Sequence, residues 1–502
     1  SSAMRVKFSQ TYKKNNFFIW GRLFSFSFLT FQIHSFFGFF ENFCKKNSSF
    51  LQCGFNPLLF SYLLQWAKAT LEEHAKIVKE PFFDSFIQNS FTHSFKIHSL
   101  IHSKFNQKIM KKYFGPSTLV AAAFIGPGTL TTCTMAGVKT GYMLLWAMLF
   151  SIAATMILQE MSARLGFVTR KGLGEAIDAQ FPKGAARFLV FFLVIGAILI
   201  GNAAYEAGNI AGGVLGLHLI VGEWKLLPLL LGGLSFLLLF FGKYKLVERT
   251  LIFLVILMSV CFLATAVIVR PDFLAIFRGF VPSGINEHFL LIMGLIGTTV
   301  VPYNLFLHAS TISKKWSTDA TIRDIRIENA VAILLGGLIS MLIIITAAAS
   351  QGAVESVSSA KDLAAQLEPL FGATAKWAMG LGLLAAGLSS TLTAPIAAAY
   401  AAQGLFGWEK NEKDAKFRAV WMLILGIGVF VAMTGLKPVL IIKFAQITNA
   451  LLLPFIAMYL LYLSNSKKLL GTYTNSLFIN VVAGLVIGIT LMLSVKVLVG
   501  IF

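Results

Sequence analysis

From residue 110 onward, long apolar stretches alternate with short polar segments that carry most of the charge. The stretches fall near 115–137, 142–165, 186–212, 225–241, 248–269, 288–311, 329–350, 375–404, 418–435, 438–463 and 475–501. Most come close to the roughly 20 residues a helix needs to cross a bilayer. The intervening loops differ in charge. Alternate loops carry clusters such as Lys111/Lys112, Arg170/Lys171, Lys243/Lys245, Lys314/Lys315, Lys410/Lys413 and Lys467/Lys468, and the others hold isolated charges such as Lys139, Lys225 and Lys361. Basic loops stay on the cytoplasmic side. The pattern therefore predicts eleven spans, with residue 110 inside and the C-terminus outside.

Residues 1–109 have another texture. They hold 21 of the 47 Phe and five of the eight His, mixed with Ser, Asn and Lys, as in FSFSFLTF and SFTHSFKIHSLIHSKF. Arg22, His34 and Glu41 interrupt the apolar runs, and no helical period emerges. Met110-Lys-Lys-Tyr-Phe-Gly-Pro then has the form of a natural bacterial start. The division expected is an extension, 1–109, lying outside the working protein, and a core, 110–502. An additional membrane-associated N-terminal segment is the alternative.

Composition sharpens this picture. Hydrophobic residues make up 57% of the 502 and charged residues 13%, against roughly 25% charged in a soluble domain. The mean hydropathy is +0.76. A soluble globule cannot hide that much apolar surface, so the chain is expected to be a multi-pass protein of the plasma membrane, with the lipid bilayer as its first partner. Secreted, disulfide-framed and disordered classes are excluded. The net charge of +20 is accounted for by the basic loops, and no nucleic-acid partner is expected. Cys44, Cys53, Cys133 and Cys261 lack metal-ligand spacing.

Two spans contain helix-breaking sequences. The first carries Gly126-Pro127-Gly128-Thr129, and the sixth carries Pro302 after Thr298-Thr-Val-Val. Proline removes a backbone donor and crowds the preceding turn. An ordinary kink would explain one such proline. Matched breaks five spans apart imply two units of opposite topology, with a binding site where the broken helices meet.

The residues around these breaks resemble the NRAMP family of divalent-metal transporters. The resemblance rests on GPSTLVAAAFIGPGT (115–129), LQEMSARLGFVT (158–169), VVPYNLFLHAS (300–310) and the stretch from Gln446 to Phe455, and it spans essentially all of 110–502. It implies an all-α polytopic membrane protein of LeuT-like fold, with two inverted five-helix repeats and about eleven transmembrane helices.

The departures from the family pattern are informative. Where the family has Asp-Pro-Gly-Asn, this chain has Gly126-Pro127-Gly128-Thr129; where it has Met-Pro-His-Asn, this chain has Val301-Pro302-Tyr303-Asn304. His308 matches the family's second histidine. In the third span the family's Asp and Glu, associated with proton movement, correspond to Ala203 and Glu206. Stripping water from Mn²⁺ or Fe²⁺ needs strong donors, and a thioether favours softer ions. Mg²⁺ dehydrates reluctantly and keeps several waters, which neutral oxygens can hold. The pattern thus resembles the divergent NRAMP-related magnesium transporters. The substrate-binding set it implies is Ala123, Gly126, Thr129, Thr298, Val301, Asn304 and Gln446. Of these, Thr129, Thr298, Asn304 and Gln446 would hold the metal, mostly through water, and Thr131, Thr132 and Thr299 are further hydroxyls nearby. Glu206, Tyr303 and His308 are proton or gating candidates.

The function expected is alternating-access transport of largely hydrated Mg²⁺, with Mn²⁺ second, weakly or not proton-coupled, by a monomer that needs no cofactor. Alternatives are a proton-coupled Mn²⁺/Fe²⁺ importer, an organic-solute carrier of LeuT-like fold, and a channel. The core has His218, His288 and His308 on separate segments and no catalytic triad or nucleotide loop, so no enzyme is expected. Glu160 precedes Arg164 by four residues, the favourable orientation for a helical ion pair, and is given a structural role.

Overall fold

Proline and glycine at the breaks, and small residues between long apolar helices, set the architecture. The computed structural model describes residues 125–180, 185–241, 244–315, 321–349, 357–409 and 411–501. All of them lie within one compact unit, Gly115–Phe502. The extension 1–109 and the candidate Ala123 lie outside the described residues.

Among the described residues the regular structure is helical. The order begins α1 (Pro127–Thr140), α2 (Leu145–Thr169), α3 (Leu173–Gln180), α4 (Ala185–Val221), α5 (Leu227–Phe240) and α6 (Tyr244–Val269). It continues with α7 (Phe273–Arg278), α8 (Phe289–Thr299), α9 (Pro302–Lys315), α10 (Ile322–Ala349), α11 (Ala360–Ala365) and α12 (Glu368–Phe371). The last five are α13 (Ala375–Phe406), α14 (Ala415–Ala432), α15 (Pro438–Ser464), α16 (Lys467–Leu470) and α17 (Leu477–Ile501). Among the described residues, eight helical stretches are long and apolar enough to cross a membrane, taking α8 and α9 together as one and α12 with α13 as another. The stretches 227–240 and 255–269 are apolar but shorter.

The breaks fall slightly differently from the sequence expectation. Gly126 is the extended N-cap of α1 (φ −88°, ψ 176°), and Pro127 opens the helix. Proline is suited to that position because its missing N–H would be unpaired there anyway. Gly128 and Thr129, expected in an unwound stretch, are therefore the second and third residues of the helix. In the sixth span only Val300 (φ −97°, ψ 81°) and Val301 leave the helix, so Thr298 and Thr299 end α8. Pro302 cannot donate to the carbonyl four residues back and disfavours helical backbone at Val301.

Helix α4, 37 residues long, is the central post. It packs most extensively on α13, then on α15 and α14. The α4–α13 seam is made by facing glycines: a Cβ on Gly387 would lie 2.5 Å from Gly213, and one on Gly216 would lie 2.5 Å from the Gly380 carbonyl. Small residues let helix backbones approach where no hydrophobic force between helices is available in lipid. A second close approach joins α1 to α10, where a Cβ on Gly137 would meet the Ile344 carbonyl at 2.3 Å and Ala347 Cβ at 2.6 Å.

Gly137→Ala should therefore destabilise the protein. Backbone on both sides of the contact cannot yield, so a cost of about 1–3 kcal/mol or more is expected. Gly196→Ala, on α4 with nothing within 4 Å of the added carbon, is expected to be neutral. Thermal unfolding of the two variants in the same detergent measures the difference.

Candidate metal-ion site

The two interrupted spans meet through hydroxyls. Thr129 in the first turn of α1 and Thr298 at the end of α8 are both fully buried, and their Oγ1 atoms lie 2.9 Å apart. Gln446 of α15 wedges between these segments. A Cβ on Gly128 would lie 2.1 Å from Gln446 Nε2, and one on Gly297 would lie 1.8 Å from the Gln446 carbonyl. Glycine at both positions is what admits the glutamine. The fold thus brings Thr129, Thr298 and Gln446 together from residues 169 and 148 apart or more in sequence.

Several oxygens here lack hydrogen-bond partners. Gln446 Oε1, Asn304 Oδ1 and Thr131 Oγ1 are buried and unpaired. A buried polar atom left unpaired costs about 1–3 kcal/mol, so these atoms are available to water or to a ligand. Among the described residues, no group of three or more His, Cys, Asp or Glu side chains is placed to hold a metal ion. The donors on offer are neutral oxygens, a hard set suited to an ion that keeps water.

The remaining candidates are dispersed around this centre. Gly126 is buried at the start of α1. Val301 packs with Tyr205, Tyr303, Leu307, Ala394 and Ala397 in an apolar cluster, and its carbonyl accepts from the Asn304 N–H at 3.1 Å. Thr299 is turned away from the break: its hydroxyl donates to the Leu295 carbonyl at 2.8 Å, the back-bonding common for threonine in helices. The Thr132 methyl faces Gly294 of α8. Glu206 is fully buried on α4, where Asn209 Nδ2 donates to its Oε2 at 3.2 Å. Tyr303 packs edge-on against Tyr205, with ring centroids 5.3 Å apart.

His308 lies one turn beyond Asn304 on α9. Its Nδ1 is 2.7 Å from Gln159 Oε1; that oxygen only accepts, so this ring nitrogen carries the proton. Sequence reasoning missed Gln159. It also missed Ser162, whose hydroxyl donates to the Leu305 carbonyl at 2.5 Å, and Gly166, where a Cβ would lie 2.4 Å from the Ala309 carbonyl. The spacing 159, 162, 166 marks one helical face. That signal stood within the stretch 158–169, but it shows only that a face exists and not what it meets.

Glu160 is the hub of a separate cluster. Arg164 Nε and Nη2 lie 3.1 Å from its two carboxylate oxygens, and Arg326 of α10 donates to Oε1 at 2.8 Å. Arg164, nearly fully buried, also donates to the Tyr473 carbonyl and, at 2.5 Å, to Asn475 Oδ1. The i, i+4 pair expected from the sequence is present, and it also pins the segment after α16 to α2. Replacing Arg164 with Met should lower stability by about 3 kcal/mol, because several charge-assisted bonds are lost in a buried place. Arg326→Met, at an exposed position, should cost about 1 kcal/mol or less. Chemical denaturation of both variants separates the two.

The chain was compared with known proteins. The sequence model of the family described as "Natural resistance-associated macrophage protein-like", Nramp, matches residues 117–500. A relative from Staphylococcus saprophyticus, the divalent metal cation transporter MntH, is 29% identical over 435 residues, covering 80% of this chain and 94% of that protein. A protein of the same name from a Nostoc species is 30% identical over 402 residues, covering 75% and 88%. Among solved structures, the Eremococcus coleocola manganese transporter superposes with a TM-score of 0.64 at 23% identity, covering 77% of this chain and 86% of that one. A nucleobase-cation-symport-1 family transporter in a closed conformation superposes with a TM-score of 0.51 at 15% identity, covering 76% and 91%. These structural likenesses establish the LeuT-like fold.

Proposed function

This chain belongs to the Nramp family, and we propose that it carries divalent metal cations across a cell membrane by alternating access, Mg²⁺ in largely hydrated form before Mn²⁺. Membership makes it a transporter and not an enzyme. The observation that carries the reading of the ion is the Thr129–Thr298 hydroxyl pair, 2.9 Å apart, on two segments that contain no carboxylate and no sulfur among residues 126–129 and 298–304. Hydroxyl and amide oxygens hold an ion's water by hydrogen bonds, and a water-mediated contact is nearly as good as a direct one. They do not compensate the removal of that water. Such a site favours an ion whose hydration shell stays on during passage.

Proton coupling is proposed to be weak or absent. Gly126, Ala203 and Tyr303 stand where the resemblance placed Asp, Asp and His. The carboxyl and imidazole groups that would carry a proton are thereby absent from these three positions. The core's basic loops would lie in the cytoplasm and its C-terminus outside, with the protein a monomer in the plasma membrane. A second reading is supported by the relatives: one is named a manganese transporter and two are named divalent metal cation transporters. On that reading the chain imports Mn²⁺ with protons.

Reconstitution into sealed liposomes with parallel Mg²⁺, Mn²⁺ and pH-sensitive dyes tests the proposal. Mg²⁺ flux without matching acidification is the expected result. Mn²⁺ uptake that a large excess of Mg²⁺ fails to inhibit, accompanied by acidification, would establish the second reading instead.

Variants at the break refine the test. Thr129→Ala should weaken Mg²⁺ flux several-fold, and Thr129→Val about as much, because each removes one hydroxyl from a set of weak contacts. Gly126→Leu should abolish flux by filling the break. Normal flux in Gly126→Leu at equal expression would move the site elsewhere.

A further inference from the structure

Beside the break, a second set of buried oxygens has no structural use. It lies on one face of α4, at Asn202, Tyr205, Glu206 and Asn209, where the pairs 202/205, 202/206, 205/209 and 206/209 are three or four residues apart and so share that face. All four are nearly fully buried. Tyr205 meets Tyr303, the second residue of α9, edge-on at 5.3 Å between ring centroids. Tyr303 also lies within electrostatic reach of the Glu206 carboxyl and beside Thr393 of α13. Gly428 of α14 closes the far side, since a Cβ there would lie 2.6 Å from Glu206 Cγ. Tyr303 adjoins Pro302 and Asn304, so this set is continuous with the interrupted sixth span.

The hydrogen bonds do not close. Asn209 satisfies one carboxyl oxygen of Glu206. Glu206 Oε1 and both polar atoms of the Asn202 amide have no partner, while the Tyr205 and Tyr303 side chains face one another with Thr393 beside Tyr303. Among the described residues, no basic side chain is paired with Glu206. A buried carboxylate needs a countercharge or a proton. A proton would neutralise Glu206 and leave the Asn202 amide unsatisfied. A divalent cation carrying part of its water supplies the charge, and its waters bond the remaining atoms.

We propose that Glu206, with Asn202, Tyr205 and Tyr303, forms a second station for a divalent cation, bound through the carboxylate and through retained water, next to the Thr129–Thr298 site. The ligand class is a hard cation such as Mg²⁺, which takes oxygen donors and binds with one or two carboxylates while keeping waters. The neutral break would then hand its ion to a place where one negative charge compensates part of the lost hydration. This inference rests on the proposal that the chain carries divalent cations, but it concerns other residues.

Equilibrium binding of Mn²⁺, counted by electron paramagnetic resonance on purified full-length protein, tests it. Mn²⁺ serves as a visible stand-in for Mg²⁺. The wild type is expected to hold two ions per chain at saturation and Glu206→Gln one, with Mg²⁺ displacing both from the wild type. Tyr205→Phe, which keeps the ring packing and removes only the hydroxyl, should weaken the second ion several-fold and so guards against loss of folding in Glu206→Gln. A Thr129→Ala/Thr298→Ala double variant should keep the ion that Glu206→Gln loses. If Glu206→Gln binds as many ions as the wild type, the second station is wrong while the transport reading stands. If neither protein binds Mn²⁺ or Mg²⁺, both are wrong.

Discussion

Backbone at membrane depth must find its hydrogen bonds inside the protein, because lipid offers none. The gap at Val300–Val301 is where this chain interrupts its own ladder. Much of the surrounding structure is arranged to make that interruption tolerable. Helix α15 lays the Gln446 carbonyl against Gly297, just before the gap. Helix α1 brings a hydroxyl to Thr298. Helix α2 donates the Ser162 hydroxyl to the Leu305 carbonyl and accepts from the His308 ring at Gln159 Oε1, just after the gap. The same demand gathers polar atoms where the helix is open, and several of them, including Asn304 Oδ1 and Gln446 Oε1, end without partners.

The apolar framework holds these polar groups in place by close approach more than by side-chain bulk. The α4–α13 seam of facing glycines and the α1–α10 contact at Gly137 fix helix positions to within a methyl group. Dispersion between such backbones accumulates from many small contacts, and the fit leaves little latitude for the side chains between them. A strongly ionic cluster, Glu160 with Arg164 and Arg326, binds the segment after α16 to α2. Charge is thus used there for fastening, and neutral oxygens are used at the break.

That division bears on how an ion is held. On the proposed reading, the neutral oxygens at the break exert a weak field and would discriminate by how readily an ion keeps its water more than by charge. Glu206 on α4, within reach of Tyr303, is a fully buried carboxyl that has no basic side chain paired with it among the described residues. The contrast between a neutral opening and a charged neighbour follows from the substitutions at Gly126, Thr129, Val301 and Tyr303. They remove charge and sulfur from the break and leave the α4 carboxyl in place.

Hydropathy by itself determined the membrane class and the approximate span of most helices, because a 20-residue apolar run has few other fates. The positions from 375 to 404 and from 438 to 463 were legible to within two residues. Thr129, Thr298 and Gln446 were singled out through their motifs, and the fold brings these three together. What proline does was not legible. Pro302 opens a new helix after a two-residue gap, whereas Pro395 in α13 and Pro454 in α15 sit inside continuous ones. All three remove the same donor, and only the neighbours decide whether the helix continues past the lost bond or opens. At Pro302 the glutamine of α15 packs against Gly297, and α1 supplies a hydroxyl at Thr298. Nor could sequence predict that Thr299 would bond back to its own helix while Thr298, one residue earlier, would reach across to α1. A step of about 100° around a helix separates those two fates, and which side faces the partner is fixed only when distant segments pack.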